Sequence, residues 1–179
     1  MNELTKFNDE VYYLSEKYCG MNEQYFSFLS VQAKRNERKR CRICTHSHPD
    51  DVLHEMFILH CHGNYVPPHA HSNSDESLTL LKGEGAMFYY DNNGELLNIV
   101  YLNADPEKGH NYVRTPKGIF HSLYIMSDEF LFKEAVLGPF DRNNMIESDF
   151  APKEGEAEKV ATFLSRCQQQ FNRAEKHDG

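Results

Sequence analysis

The chain has 179 residues, 40% of them hydrophobic and 26% charged, with a formal charge of −8 and a pI of about 5.7. That is enough apolar material for one core and too little for two full domains, and such a composition fits neither disorder nor a fibrous repeat. The acidic balance argues against nucleic-acid binding, which draws its affinity from a basic surface, and no apolar run approaches the roughly 20 residues of a membrane span.

Leu4, Phe7, Val11, Leu14 and Tyr18 recur at intervals of three and four, which predicts an amphipathic helix ended by Gly20. Glu3, Asp9 and Glu10 lie where a signal peptide would be basic and then apolar, so a cytoplasmic location is expected. Residues 25–31 and 39–45 carry aromatic or β-branched side chains between turns and are predicted as strands. Residues 53–62 form a longer strand candidate leading through Gly63 to Pro67 and Pro68.

Further strands are predicted over 77–81, 86–90, 96–102, 111–115, 119–126 and 130–137, with Asp91-Asn92-Asn93-Gly94 turning a hairpin. Many short strands divided by Gly, Pro and Asn, with no alternating helix, indicate an all-β barrel or sandwich. Val160, Phe163, Leu164, Cys167 and Phe171 return to helical spacing. The expected organisation is a helical extension over 1–22, a barrel over 23–152, and a C-terminal helix and tail over 153–179.

His69 and His71 are one residue apart, so on a strand both imidazoles leave the same face. Glu76 follows after a polar turn, and His121 lies on a later strand that barrel closure could bring opposite. Three imidazoles and a carboxylate suit Zn, Fe, Mn, Ni or Cu better than the oxygen-seeking Ca or Mg. A single divalent transition metal is the expected cofactor, with its identity open.

Gly63 to Gly83 reads GNYVPPHAHSNSDESLTLLKG. This is similar to the first motif of the cupin superfamily: glycine, five residues, His-x-His, four residues, glutamate, six residues, glycine. Gly109, Pro116, Gly118 and His121 follow the order of the second motif, with one residue more after Gly109 and Ile125 where asparagine is usual. The resemblance implies a double-stranded β-helix, or jelly-roll, barrel with metal ligands His69, His71, Glu76 and His121. The flanks RCRICTHSHPDDVLHEMF and EAVLGPFDRNNMIESDFAPKEGE resemble the WbuC-type cupins, often met among genes for surface polysaccharide synthesis. By analogy with cupins, a homodimer is expected.

Several other residues invite a functional reading. Lys34, Arg35, Arg38, Lys39, Arg40 and Arg42 form a basic cluster in an acidic chain. On a strand, Arg40 and Arg42 share one face and Cys41 and Ile43 the other, so two guanidiniums could grip a carboxylate or phosphate, or else pair structurally with acidic residues. Tyr65, Tyr89, Phe120 and Tyr124 are candidates for a sugar-ring wall or for packing, with Phe120 expected to face away from the metal. His54, Glu55, His60 and His62 are candidate acids or bases. Cys41 and Cys44 form a CxxC, but it lacks the second half of a zinc ribbon and a thioredoxin-like βαβ setting; with five cysteines, an odd number, reduced thiols are expected.

Two functional readings follow. One is a metal-dependent enzyme, an isomerase or epimerase or a non-haem iron dioxygenase, acting on a small anionic or sugar-like substrate through Arg40, Arg42 and Tyr65. The other is a non-enzymatic module in which the metal steadies the barrel and the cavity senses or carries a ligand.

Overall fold

The computed structural model describes residues 3–14 and 18–175. In chain order the strands are β1 (Leu4–Lys6), β2 (Val11–Leu14), β3 (Arg40–Cys44), β4 (Leu53–Cys61), β5 (His69–His71), β6 (Glu76–Lys82), β7 (Glu84–Tyr90), β8 (Leu96–Asn103), β9 (Tyr112–Thr115), β10 (Phe120–Ile125), β11 (Glu129–Leu137) and β12 (Met145–Glu147). Helix α1 (Glu23–Arg35) precedes β3, and α2 (Ala157–Glu175) follows β12.

The strands form a seven-stranded sheet, β1-β2-β3-β4-β11-β6-β9, and a five-stranded sheet, β12-β5-β10-β7-β8. Their concave faces enclose one apolar core that includes Met56, Ile58, Leu78, Leu80, Met87, Leu123, Phe130 and Phe132. Strand alternation sends the intervening residues outward, and a helix covers each convex face. Under α1, Tyr25, Leu29 and Ala33 pack on Cys41, Ile43 and Leu59. Under α2, Phe163, Cys167 and Phe171 pack on Phe88, Tyr90 and Ala70. The result is an all-β jelly-roll barrel with outer helices.

The N-terminal region departs from its periodicity. Where a helix is expected from Leu4, the chain forms the β1–β2 hairpin, whose turn is held by Asn8 Oδ1 accepting from the N–H groups of Glu10 and Val11 at 2.8 Å. Tyr12 and Leu14, two apart, bury against α1, and β2 adds in parallel to β3. Residues 15–17 of the expected helix lie outside the described residues.

The strand expected at 25–31 is part of α1. Asn22 caps it by accepting from Gln24 N–H at 3.0 Å, and Tyr25, Leu29 and Ala33 repeat every four residues on its buried side. The cap and the four-residue period outweigh the aromatic and β-branched content. Asp91–Gly94 turns the β7–β8 hairpin as expected, with Gly94 at φ +82, a conformation costly for residues with a Cβ.

Candidate metal centre

His69 and His71 flank Ala70 on β5. The pleat places Ala70 beneath α2 and turns both imidazoles to the concave face. β10 runs antiparallel to β5 and sets His121 opposite His69. Glu76 opens β6 in the other sheet, between Thr115 of β9 and Val136 of β11.

Two polar loops hold these strands in register. Asp75 Oδ1 accepts from Lys117 N–H at 2.9 Å, its carboxylate pairs with Arg114, and Gly118 N–H donates to His71 O at 2.8 Å. Residues from both sheets therefore converge at one point. One donor atom from each of His69, His71, Glu76 and His121 lies within 4.8 Å of all the others.

The protonation pattern follows from the partners. His69 Nδ1–H donates to Pro67 O at 2.9 Å and His121 Nδ1–H to Ile119 O at 3.1 Å, because a carbonyl can only accept. In the neutral form of each ring, Nε2 then carries the lone pair. His121 Nε2 is buried without a hydrogen-bond partner and meets Glu76 Oε1 only at 3.5 Å. His71 Nε2 lies 2.9 Å from Glu76 Oε2.

Electrostatics hold Glu76 ionised and His69 neutral. Burial, followed by the neighbouring His121, pushes His69 down to about 4, so its ring is neutral at pH 7. Burial alone would raise Glu76, but the imidazoles of His121, His71 and His69 outweigh it and hold the carboxyl well below its usual range. Burial would lower His121, but the Glu76 carboxylate outweighs it and raises this imidazole. Imidazole nitrogens oriented by backbone carbonyls, facing an ionised carboxylate, are a donor set that could bind a divalent transition metal.

The residues expected to bind substrate separate in space. Tyr65 lies on the convex side under α2, where its hydroxyl donates to Pro152 O at 2.7 Å and its ring meets Phe163 edge-on. It packs there, away from the four converging residues. Arg40 is tied to Glu10 Oε2 at 2.8 Å and Glu154 Oε1 at 3.2 Å, and Arg38 joins both carboxylates. Its structural pairing is thus realised. Arg42 shares the concave side with Cys44, contacts Met56 Sδ at 3.8 Å, and forms no ion pair among the described residues.

Of the other candidates, Tyr89 faces the concave core, while Phe120 and Tyr124 face α2. Glu55 pairs with Lys133, and His54 stacks on His46 with centroids 4.0 Å apart. His60 is buried against Phe132, and its Nδ1 has no partner. Cys41 and Cys44 bury on opposite faces of β3, where desolvation raises their thiols to about 12 and about 11. Neither can act with the other as a redox pair or a metal clamp.

A residue missing from the sequence reading is Glu134. Its place on β11, between inward-facing Phe132 and Val136, turns it to the concave side. Burial there raises its carboxyl to about 8, with Glu76 adding to the rise and Arg42 and His121 opposing it. Its parity with Phe130 and Phe132 was the available signal.

A family model described as a domain of unknown function, DUF6016, matches residues 21–102. No curated protein matches the chain. Among solved structures, the chain is similar to the capsular polysaccharide assembling protein CapF from Staphylococcus aureus, with a TM-score of 0.51 and 18% identity over 60% of this chain and 29% of that one. The same protein in space group C2221 gives 0.53 and 18%, over 63% and 32%. CapF with the inhibitor 3-isopropenyl-tropolone gives 0.50 and 19%, over 60% and 31%. The chain thus spans about a third of CapF's length. At these identities the likeness establishes the fold, which is that of the cupin jelly roll.

Proposed function

We propose that the chain is a divalent-metal-binding cupin in which His69, His71, Glu76 and His121 hold one ion, and that it acts as a metal-dependent enzyme on a small anionic or sugar-like substrate. The observation that carries this reading is His121 Nε2, a buried ring nitrogen without a hydrogen-bond partner that converges with donor atoms of Glu76, His69 and His71. An ion held there would supply Lewis acidity toward a carbonyl or hydroxyl, or lower the pKa of a bound water.

The chain's own residues would do the rest. Pro67 O and Ile119 O fix which ring nitrogens face the centre. The apolar side chains of the concave core exclude water, and Arg42, which forms no ion pair among the described residues, is a cation available to an anionic ligand. Sugar chemistry is favoured by the WbuC-like flanks, and CapF, a capsular polysaccharide assembling protein, offers a parallel in a larger chain. An isomerase or epimerase is therefore our first reaction class, with the protein placed in the cytoplasm as a homodimer. No helix among the described residues is long and apolar enough to cross a membrane.

One observation favours the second reading, a metal-steadied binding or sensing module. Two cavities, of about 350 and 240 Å³, lie beside α1 and α2, away from the four proposed ligands. Elemental analysis of protein purified without added metal, beside a His69→Ala/His71→Ala variant of unchanged circular dichroism, tests the centre. One ion per chain in the parent and none in the variant is expected; equal metal in both refutes it. Metal-dependent turnover of a nucleotide sugar separates enzyme from binding module.

A further inference from the structure

Arg42 and Glu134, a guanidinium and a carboxyl group, share one concave surface. Arg42, on β3, pairs with Ile58 of β4, which pairs with Phe132 of β11; Glu134 is the next inward residue along β11. Met56, opposite Glu134 across β4 and β11, touches the Arg42 guanidinium. On β11, Phe132 is level with Arg42 through Ile58 and Val136 pairs with Glu76, so Glu134 stands between the guanidinium and the Glu76 end of the site. Among the described residues neither group forms an ion pair, and the Arg42 side chain has only a thioether at 3.8 Å. By contrast, Arg40 on the same strand has both of its carboxylates in place.

We infer that Arg42 and Glu134 form the specificity half of the proposed site, selecting a polyhydroxylated carboxylic acid: Arg42 takes its carboxylate and Glu134 accepts from one of its hydroxyl groups. This rests on the proposed metal centre, which would take further oxygens of the same molecule. A carboxylate suits the place better than a phosphate. One guanidinium matches one planar carboxylate through paired hydrogen bonds, whereas a phosphate dianion would bring two charges toward the ionised Glu76 with Arg40 already engaged. A neutral sugar would leave Arg42 desolvated and unpaired, and a simple fatty acid would leave Glu134 so. The site therefore discriminates at both ends of the ligand.

The test is calorimetric titration of zinc-loaded protein with D-gluconate, D-glucose, D-glucose 6-phosphate and hexanoate, with metal content measured on every sample. Gluconate should bind most tightly. Arg42→Gln should weaken it about tenfold or more, Arg42→Lys less, because the charge remains without the fork. Glu134→Gln should narrow the gap between gluconate and hexanoate. Circular dichroism and one zinc per chain certify each variant. Zinc bound with no gluconate affinity, gluconate no tighter than glucose or glucose 6-phosphate, or an unchanged Arg42→Gln overturns this inference while sparing the metal centre. Zinc absent from the His69, His71, Glu76 and His121 site removes both.

Discussion

His69 and His121 are direct partners across β5 and β10, with ring centroids 4.4 Å apart, and each turns its Nδ1 to the backbone carbonyl two residues before it. The repetition has a common cause. In an extended chain a histidine's Nδ1–H can reach the i−2 carbonyl on its own side of the strand, and the bond fixes both tautomer and ring plane. Two adjacent strands therefore present two Nε2 atoms to one point without help from any distant side chain.

Metal should accordingly act as a folding ligand. Zinc at about 100 times its Kd is expected to stabilise the parent by about 2.7 kcal/mol, seen as a rise in Tm that a chelator reverses. His121→Ala should abolish the rise. The same substitution should cost less in the metal-free protein than in the metal-loaded one, because the buried Nε2 contributes no hydrogen bond there. A zinc-dependent rise that survives in His121→Ala would remove this residue from the ligand set.

Arg40 and Arg42 should part company under substitution. Arg40→Met removes the partner of two carboxylates, one of them the half-buried Glu10, and is expected to cost about 1–3 kcal/mol in urea unfolding. Arg42→Met breaks no ion pair among the described residues and should leave stability within about 0.5 kcal/mol. Equal losses would show that Arg42 is as structural as its neighbour.

How much of this was legible in the sequence depends on the range over which each signal acts. His69 and His71 were readable because strand parity is local, and Glu76 because a short polar turn returns the chain to the same place. His121 needed a motif, since its meeting with Glu76 spans both sheets. Glu134 was hidden for a different reason: its inward direction depends on the parity of β11, and a carboxylate within 130–137 reads as solvent-facing until Phe130, Phe132 and Val136 are seen to share its side. The exchange of helix and strand at the N-terminus is of the same kind. Leu4 to Leu14 carries a helical period by accident of two short strands, whereas Asn22 and the Tyr25, Leu29, Ala33 repeat hold the true helix signal.

Gly83 closes the first cupin-like motif, and its conformation explains the choice. At φ +92 an added Cβ would run into Glu129 O and Ser127 Oγ, the first of them rigid backbone. Gly83→Ala should destabilise the fold by about 2–4 kcal/mol through both strain and overlap. A chemical-denaturation midpoint unchanged from the parent would contradict that account. Gly118, also at positive φ but with open space around its ideal Cβ, should tolerate alanine better.

Glu129 ties β11 to α1 and β6. It accepts from Ser30 Oγ at 2.5 Å and pairs with Lys34 at 2.5 Å and Lys82 at 2.7 Å. Its hydrogen bonds with Lys34, Lys82 and Ser30 lower the carboxyl from 4.5 to about 2. A depressed folded-state value means that the stabilisation is present above pH 4.5 and disappears as pH falls to about 2. Because both lysines are largely exposed, solvent screening limits the effect, and Glu129→Gln is expected to cost about 1 kcal/mol at pH 7. The difference between the two proteins should close across that acidic window, measured by urea unfolding at stepped pH.

His60 should make the fold sensitive to milder acid. Burial, reinforced by the charges of Arg40 and Arg42, lowers its imidazole from 6.5 to about 3, so the folded state holds it neutral where the unfolded chain would protonate it. Stability is then full above pH 6.5 and falls as pH drops toward 3, by at most about 1.4 kcal/mol per pH unit for this one group. His60→Leu replaces a ring whose Nδ1 has no partner with an apolar side chain facing Phe132. It should match or exceed the parent at pH 7 and lead it by a widening margin at pH 5 and pH 4. Parallel acid curves for the two proteins would mean that His60 finds a partner for its proton inside the barrel, and the neighbouring guanidiniums make that outcome electrostatically unfavourable.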